Sequence, residues 1–405
     1  MVGKKNINWL SVLGPGVITA ALVFGPSKMT ITSKMGADFS YSLIWTIIVA
    51  IFFMMVFTNM SARIGQHNKE SLLSLIRIKT GKLGSLFIGG GIFLVATSFQ
   101  AGNSTGLGIA IGEATSTDAK IWIVLFNILG ILLLFFRSFY KMMEKVMLAL
   151  VILMLLCFTV TAIVVQPSLP NVFSGIKPSI PDESEGLIIA FIASCFSLVG
   201  AFYQSYLIQE KRKNQSGLEL DAKYAQLSST VGIVILGLMS AVVLICAATV
   251  LHPQGIKVNS ASEMGLALAP LFGPLASELF FIGLFGASFS SLVGNATLGG
   301  SMLGDALGFK NGLDNNNVKI CIAAVMVFGA AIAIAFGKLP LELIVLAQSV
   351  TIFLVPFIGI SIYWVGNSEE IMGAKKNNAF QRVAGLIGIV LVLFLAIKNF
   401  NVLFL

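Results

Sequence analysis

The residues with chemistry to offer lie inside apolar stretches. Lys28 follows Gly25-Pro26-Ser27 near the middle of the first long apolar run. Ionisable groups at membrane depth are expensive and mark ion or solute paths. Ser27, Ser197, Gln204 and Gln348 add hydroxyl and amide groups inside apolar runs of their own. Gln100 and Asn103 stand three residues apart, so they share one helical face and extend a polar path. Tyr203 and Phe202 are aromatics able to gate or stack on an organic solute. The chemistry these groups allow is reversible binding. The chain has no histidine–glutamate cluster, no nucleophile motif and no nucleotide-binding loop, which speaks against an enzyme, a bound cofactor and ATP-driven transport. Each polar residue also has a plainer reading, an interhelical hydrogen bond worth about 0.6 kcal/mol in a membrane. Aromatics inside a bundle are more often core.

The elements that hold these residues follow from composition. Of 405 residues 57% are hydrophobic and 11% charged, and the mean hydropathy is +0.93. A soluble domain carries about 25% charged residues. Apolar runs repeatedly reach the roughly 20 residues a helix needs to cross the hydrocarbon core. Spans are expected near 8–35, 41–62, 84–112, 119–136, 142–165, 186–208, 225–251, 272–300, 320–337, 341–365 and 380–400. The first lacks a small-residue cleavage site, so it reads as a span and not a removable signal. Cys157, Cys195, Cys246 and Cys321 sit in apolar segments without paired spacing, and His67 and His252 lie outside the spans, so no metal site is expected from them.

The net charge of +8 is a topology signal. With the N-terminus inside, 19 of the 26 lysines and arginines fall on inner loops and six on the outer side. Only Lys28 remains within a span. This bias predicts a cytoplasmic N-terminus, an outer C-terminus and a multi-pass protein of the cell membrane. It argues against nucleic acid as a partner. Lys69 to Ile78 reads as an amphipathic segment on the inner interface.

Pro26 removes a backbone donor and disfavours helix at Gly25, which predicts a break in span one. A weaker interruption surrounds Ser197-Leu198-Val199-Gly200 in span six, five spans later. Broken helices at matching points of two halves are expected of inverted repeats with a midplane binding site. The alternative is a proline kink and an ordinary small-residue packing face. Gly102-xxx-Gly106 and Gly108-xxx-Gly112 read as close-packing faces.

Several stretches resemble the NRAMP divalent-metal transporters. Leu13 to Trp45 (LGPGVITAALVFGPSKMTITSKMGADFSYSLIW) looks like that family's first span and its run into the second. Met142 to Phe158 is similar to the fifth span, and Gly175 to Ser184 to the loop before the sixth. Phe281 to Gly308 resembles the eighth span and Leu343 to Gly373 the tenth. The resemblance runs in order over nearly the whole chain. It implies an all-α, LeuT-like fold forming one transmembrane domain, 1–405. The first repeat would span about 8–165, the second about 186–365, with an extra helix at about 380–400 and alternating access as the mode of action.

The chain departs from the family where metal would bind. The family's Asp-Pro-Gly-Asn turn falls on Gly25, Pro26, Ser27 and Lys28, and its span-six methionine on Ser197. Its histidines fall on Val199 and Gln204. Its span-three acidic residues fall on Ser98 and Ala101, whereas Gln348 matches a family glutamine. A divalent ion in a low-dielectric site needs anionic or strong oxygen ligands. Lys28 adds a positive charge instead. Two like unit charges about 4 Å apart repel by about 4 kcal/mol at an effective dielectric of about 20, and a divalent ion doubles that.

Three readings of Lys28 stand at this point: a built-in cation donating to carbonyls at the end of the first half-helix, a proton-binding group, or an amine that snorkels to an interface. The expected binding set is Gly25, Ser27, Lys28, Ser197 and Gln348, with Gln100, Asn103, Tyr203 and Gln204 as a pathway. The expected activity is secondary-active transport of a monovalent ion, an anion or a small polar solute. The alternatives are divalent metal transport, including hydrated magnesium, and a non-transporting sensor or passive channel.

Overall fold

The computed structural model describes residues 24–404 apart from 136, 196–197, 215–221, 310–314 and 337–339. The first part of span one and Ser197 therefore lie outside the described residues. The helices are α1 (Pro26–Phe39), α2 (Ile44–His67), α3 (Leu72–Thr115), α4 (Ala119–Leu133), α5 (Arg137–Val164), α6 (Glu185–Cys195) and α7 (Leu198–Asn214). They continue as α8 (Ala222–Val250), α9 (Ala276–Leu307), α10 (Asn316–Ala335), α11 (Pro340–Thr351), α12 (Val355–Asn367) and α13 (Ala379–Phe404). Eight helical stretches among the described residues are long and apolar enough to cross a bilayer. With α1 and the shorter apolar helices Ala119–Leu133 and Val151–Val164, they occupy the eleven predicted spans.

Small residues set how closely the helices approach. α9 runs along α3, where a Cβ at Gly299 would lie 2.4 Å from Ala96 Cβ and one at Gly89 2.4 Å from Ala306 Cβ. A Cβ at Gly36 of α1 would lie 2.3 Å from the Leu244 carbonyl of α8, and one at Gly65 of α2 2.3 Å from the Ser205 carbonyl of α7. Such contacts replace the hydrophobic effect, which gives helices in lipid no reason to associate. Large apolar residues such as Ile121, Leu156 and Val390 face outward instead, as a lipid environment permits.

Two details refine the sequence reading. Gly81 has φ +75° inside α3 and separates the interfacial segment 72–80 from span three, which places the predicted amphipathic stretch. Span ten, expected as one helix over 341–365, is interrupted at Ile352-Phe353-Leu354 between α11 and α12. Pro356 in the first turn of α12 removes the amide that Ile352 O would receive in an unbroken helix. The break leaves short turns, Ile352 N to Ser349 O at 3.2 Å and Leu354 N to Thr351 O at 3.1 Å. Asn399 Nδ2 of α13 also donates to Ser349 O, at 3.1 Å.

Basic side chains find partners at both ends of the bundle. At one end Arg63 donates to Gln381 Oε1 and Asn377 Oδ1, Arg212 to the carbonyl of Gln66, and Arg77 to that of Ala306. Lys79 pairs with Glu370 there. At the other end Lys34 donates to Val258 O at 2.9 Å and Lys398 meets Glu185 at 3.1 Å. Each cation sits with partners from its own predicted side.

Candidate functional site

α1 starts where the sequence forbids a continuous helix. Gly25 is extended (φ −94°, ψ −174°), Pro26 occupies the first turn, no side chain caps it and no acidic residue stands in it. Pro26 has no N–H, and the Lys28 and Met29 amides donate to Gly25 O at 3.1 and 3.3 Å. The faces opposite are nearly bare. A Cβ at Gly102 of α3 would lie 2.5 Å from Ser27 Oγ and 3.9 Å from Gln348 Nε2. One at Gly106 would lie 2.4 Å from Pro26 Cβ and 2.9 Å from Ser288 Oγ. The Gly102-xxx-Gly106 face read from the sequence is the seat of the α1 start. Gly108 and Gly112 do the same for the start of α4, against Ile123 and Ala119.

Lys28 leaves this seat in another direction. It is 1% exposed, and its Nζ donates to Ser194 O of α6 at 3.2 Å. The Phe191 ring centroid lies 6.0 Å from Nζ. Ser194 belongs to the last turn of α6, where carbonyls carry partial negative charge. The Lys28 amine thus meets a carbonyl of span six. The carbonyls at the end of the first half of span one, expected as its partners, lie outside the described residues. The snorkelling reading is corrected: the amine is buried and bonded at the centre of two packed helices.

The structure gathers part of the predicted set. Ser27 and Gln348 meet around Gly102, and Gly25 lies beside Asn103, since a Cβ at Gly25 would lie 3.2 Å from Asn103 Oδ1 and 2.8 Å from Ser291 Oγ. Gln100 turns elsewhere: its Cγ would lie 2.5 Å from a Cβ at Gly329 of α10. The shared face expected of Gln100 and Asn103 is therefore split between α10 and α1. Tyr203 stacks on Tyr206 with ring centroids 6.4 Å apart, and Gln204 is buried within α7. Ser98, at a family acidic position, donates to Ala347 O of α11 at 2.6 Å.

Several buried polar atoms here have no hydrogen-bond partner among the described residues: Ser27 Oγ, Asn103 Nδ2, Ser288 Oγ and both side-chain polar atoms of Gln100. Buried polar groups are normally paired, and an orphan requires an explanation. Ser288 and Ser291 were not singled out from sequence. The run Gly286-Ala287-Ser288 followed by Ser290-Ser291 within span eight was the available signal. No group of three or more histidine, cysteine, aspartate or glutamate residues able to hold a metal occurs among the described residues.

Comparison with known proteins places this geometry in a family. The model of the family described as "Natural resistance-associated macrophage protein-like" matches residues 16–401. A divalent metal cation transporter MntH of Acidiphilium cryptum is 24% identical, covering 95% of this chain and 89% of the relative. The MntH of Deinococcus radiodurans is also 24% identical, over 95% of this chain and 88% of its own length. A mutant of the Eremococcus coleocola manganese transporter superposes with a TM-score of 0.80 at 18% identity, over 98% of this chain and 88% of that one. The nucleobase-cation-symport-1 transporter Mhp1, in a closed conformation, gives a TM-score of 0.58 at 15% identity over 96% of this chain and 93% of its own. These likenesses establish the fold as LeuT-like, and the relatives are transporters, not enzymes. The chain belongs to the NRAMP family of membrane transporters.

Proposed function

We propose that this chain is a secondary-active transporter that works by alternating access, carrying a monovalent ion, an anion or a small polar solute past the start of α1. The observation that carries the reading is the buried Lys28 side chain, whose Nζ donates to Ser194 O, one residue from the seat of Ser27. It joins the first spans of the two repeats, about 8–165 and 186–365, whose relative movement would open the path. A fixed cation there, with glycine where the family has aspartate, opposes a bound divalent ion by several kcal/mol. The inner placement of the N-terminus and the cell membrane as location rest on the charge bias of the loops.

A second reading keeps a divalent metal cation as cargo. It is favoured by the names of the relatives, divalent metal cation transporters MntH, and on kinship alone it is the better supported of the two. A neutral amine at Lys28 would remove the repulsion and could itself act as a ligand. Manganese uptake into proteoliposomes of the full chain separates the readings. The first expects no saturable uptake at micromolar manganese. Saturable uptake that Lys28→Ala leaves unchanged would overturn it.

A further inference from the structure

Helix α3 turns a corner before it enters the bundle as span three. At Gly81 the backbone takes φ +75°, and a Cβ there would meet nothing within 4 Å. All six residues from Ile78 to Leu83 are exposed. Leu83 is 82% exposed, more than any other large hydrophobic residue described, and Ile78 is 69% exposed. Lys79 and Lys82 stand between them. An ordinary outward residue of a span, such as Leu125 at 50%, keeps half its surface against its neighbours, whereas this corner stands clear. Its other side is fastened. Ser71, the cap of α3, donates to Asp305 Oδ2 at 2.6 Å, and Arg77 donates to the Ala306 carbonyl. The end of α9 thus holds the segment in place and leaves its tip uncovered.

The charge of the corner is one-sided. From residue 69 to 82 stand Lys69, Arg77, Lys79 and Lys82 against the single carboxylate of Glu70. Arg77 is engaged by Ala306 and Lys79 pairs with Glu370, while Lys82 has no ion-pair partner among the described residues. The loop bias sets this end at the inner interface. Apolar side chains that bracket lysines at that depth fit an anionic leaflet, the apolar groups entering the acyl boundary and the lysines staying with the phosphates. Phe87, one turn beyond Leu83 on the same face, is 54% exposed. The apolar strip therefore continues along span three, which favours lipid over a protein as its cover. We propose that the corner Ile78–Leu83 docks an anionic phospholipid of the inner leaflet, with the phosphate at Lys82 and Lys79 and an acyl chain along Leu83 and Phe87. Glu370 competes with the phosphate for Lys79. Because the same segment is bonded to Asp305 and Ala306, an occupied corner steadies the inner ends of α3 and α9 together. The proposal does not depend on which cargo the chain carries.

The test is thermal unfolding of the purified full chain in detergent, titrated with phosphatidylglycerol or with phosphatidylcholine of the same acyl chains. Phosphatidylglycerol is expected to raise the midpoint saturably and at the lower concentration. Its half-saturating concentration should rise about fivefold or more in Lys79→Gln/Lys82→Gln, which removes both phosphate contacts. Glu370→Gln should lower it, by freeing Lys79. Lys120→Gln/Lys177→Gln removes two exposed lysines of the predicted outer side and should change it by less than about twofold. An equal response to the two lipids would overturn the proposal, as would a corner pair that behaves like the outer pair. Leu83→Trp reads the corner with both lysines in place, whether or not the neutralised chain folds. Its fluorescence, beyond that of the unaltered chain, should be quenched more by bromine-labelled phosphatidylglycerol than by bromine-labelled phosphatidylcholine in liposomes. Equal quenching by the two overturns the preference for an anionic lipid, and no quenching by either overturns the docking itself.

Discussion

Two polar clusters of the bundle treat hydrogen bonding in opposite ways. At the end predicted to face inward, Asp305 Oδ2 accepts from Tyr206 at 2.6 Å and from Ser71 at 2.6 Å. Tyr206 OH in turn accepts from the Leu73 amide at 3.3 Å. That network joins α3, α7 and α9 and is closed upon itself. At the start of α1, Ser27, Asn103 and Ser288 keep polar atoms without partners among the described residues. The first cluster ties helices together, and the second keeps hydrogen-bonding capacity that no described residue uses. Stability and binding should therefore respond to substitution in different places.

The largest stability loss is expected at the closed cluster. Asp305→Ala removes the acceptor of two hydrogen bonds to a carboxylate and should destabilise by about 3 kcal/mol, read as thermal unfolding in detergent. A loss below about 1 kcal/mol would break the contrast. Next comes Gly65→Ala, whose Cβ would meet Ser205 backbone at 2.3 Å. Because backbone cannot rotate away, about 2 kcal/mol of destabilisation is expected. Gly102→Ala meets only the rotatable Ser27 Oγ at 2.5 Å, so it should cost less than about 1 kcal/mol while lowering transport tenfold or more.

Lys28→Met tests the open cluster directly. Replacing a buried charge by an apolar chain of similar length is expected to change stability by less than about 1 kcal/mol, while proteoliposome transport falls at least tenfold. A loss of about 3 kcal/mol with transport intact would make Lys28 a structural pin. The smallest effect belongs to the exposed pair Lys376–Glu369, 2.8 Å apart. The hydrogen bond and charge of Lys376 hold the Glu369 carboxyl below its ordinary 4.5. Its contribution is therefore present above pH 4.5 and fades as pH falls through the lower folded-state value. Glu369→Gln should remove that slight acid dependence from unfolding curves and leave stability at neutral pH within error.

Much of the fold was legible because its signals are local. Pro26, the glycine pairs 102/106 and 108/112, and the clustering of basic loop residues each act through backbone geometry or charge at a known position. The break in span ten was missed although Pro356 marks it, since an apolar run of that length reads as one helix until the missing amide is counted. Ser288 and Ser291 were hidden for a different reason. A serine in a span looks the same whether it is bonded back to its own helix or aimed at another, and only the packing of α9 on α3 separates the cases. The same limit split Gln100 from Asn103: a three-residue spacing places them on neighbouring parts of one surface, and which helix covers each part is a tertiary fact. Ser197 lies outside the described residues, so its place in the binding set remains a proposal.

The bare surface at Gly102 and Gly106 has a consequence for how such a site can change. At Gly102 and Gly106 the wall is main chain, and a Cβ there would meet Ser27 Oγ at 2.5 Å and Pro26 Cβ at 2.4 Å. On the facing segment, residues 25–28, three of the four positions differ from the turn of the family it resembles. If alternating access moves α1, the glycines facing Ser27 and Pro26 present fewer side chains whose rotamers would have to rearrange. On the proposed mode of action the glycines would act as a bearing, leaving the moving part free.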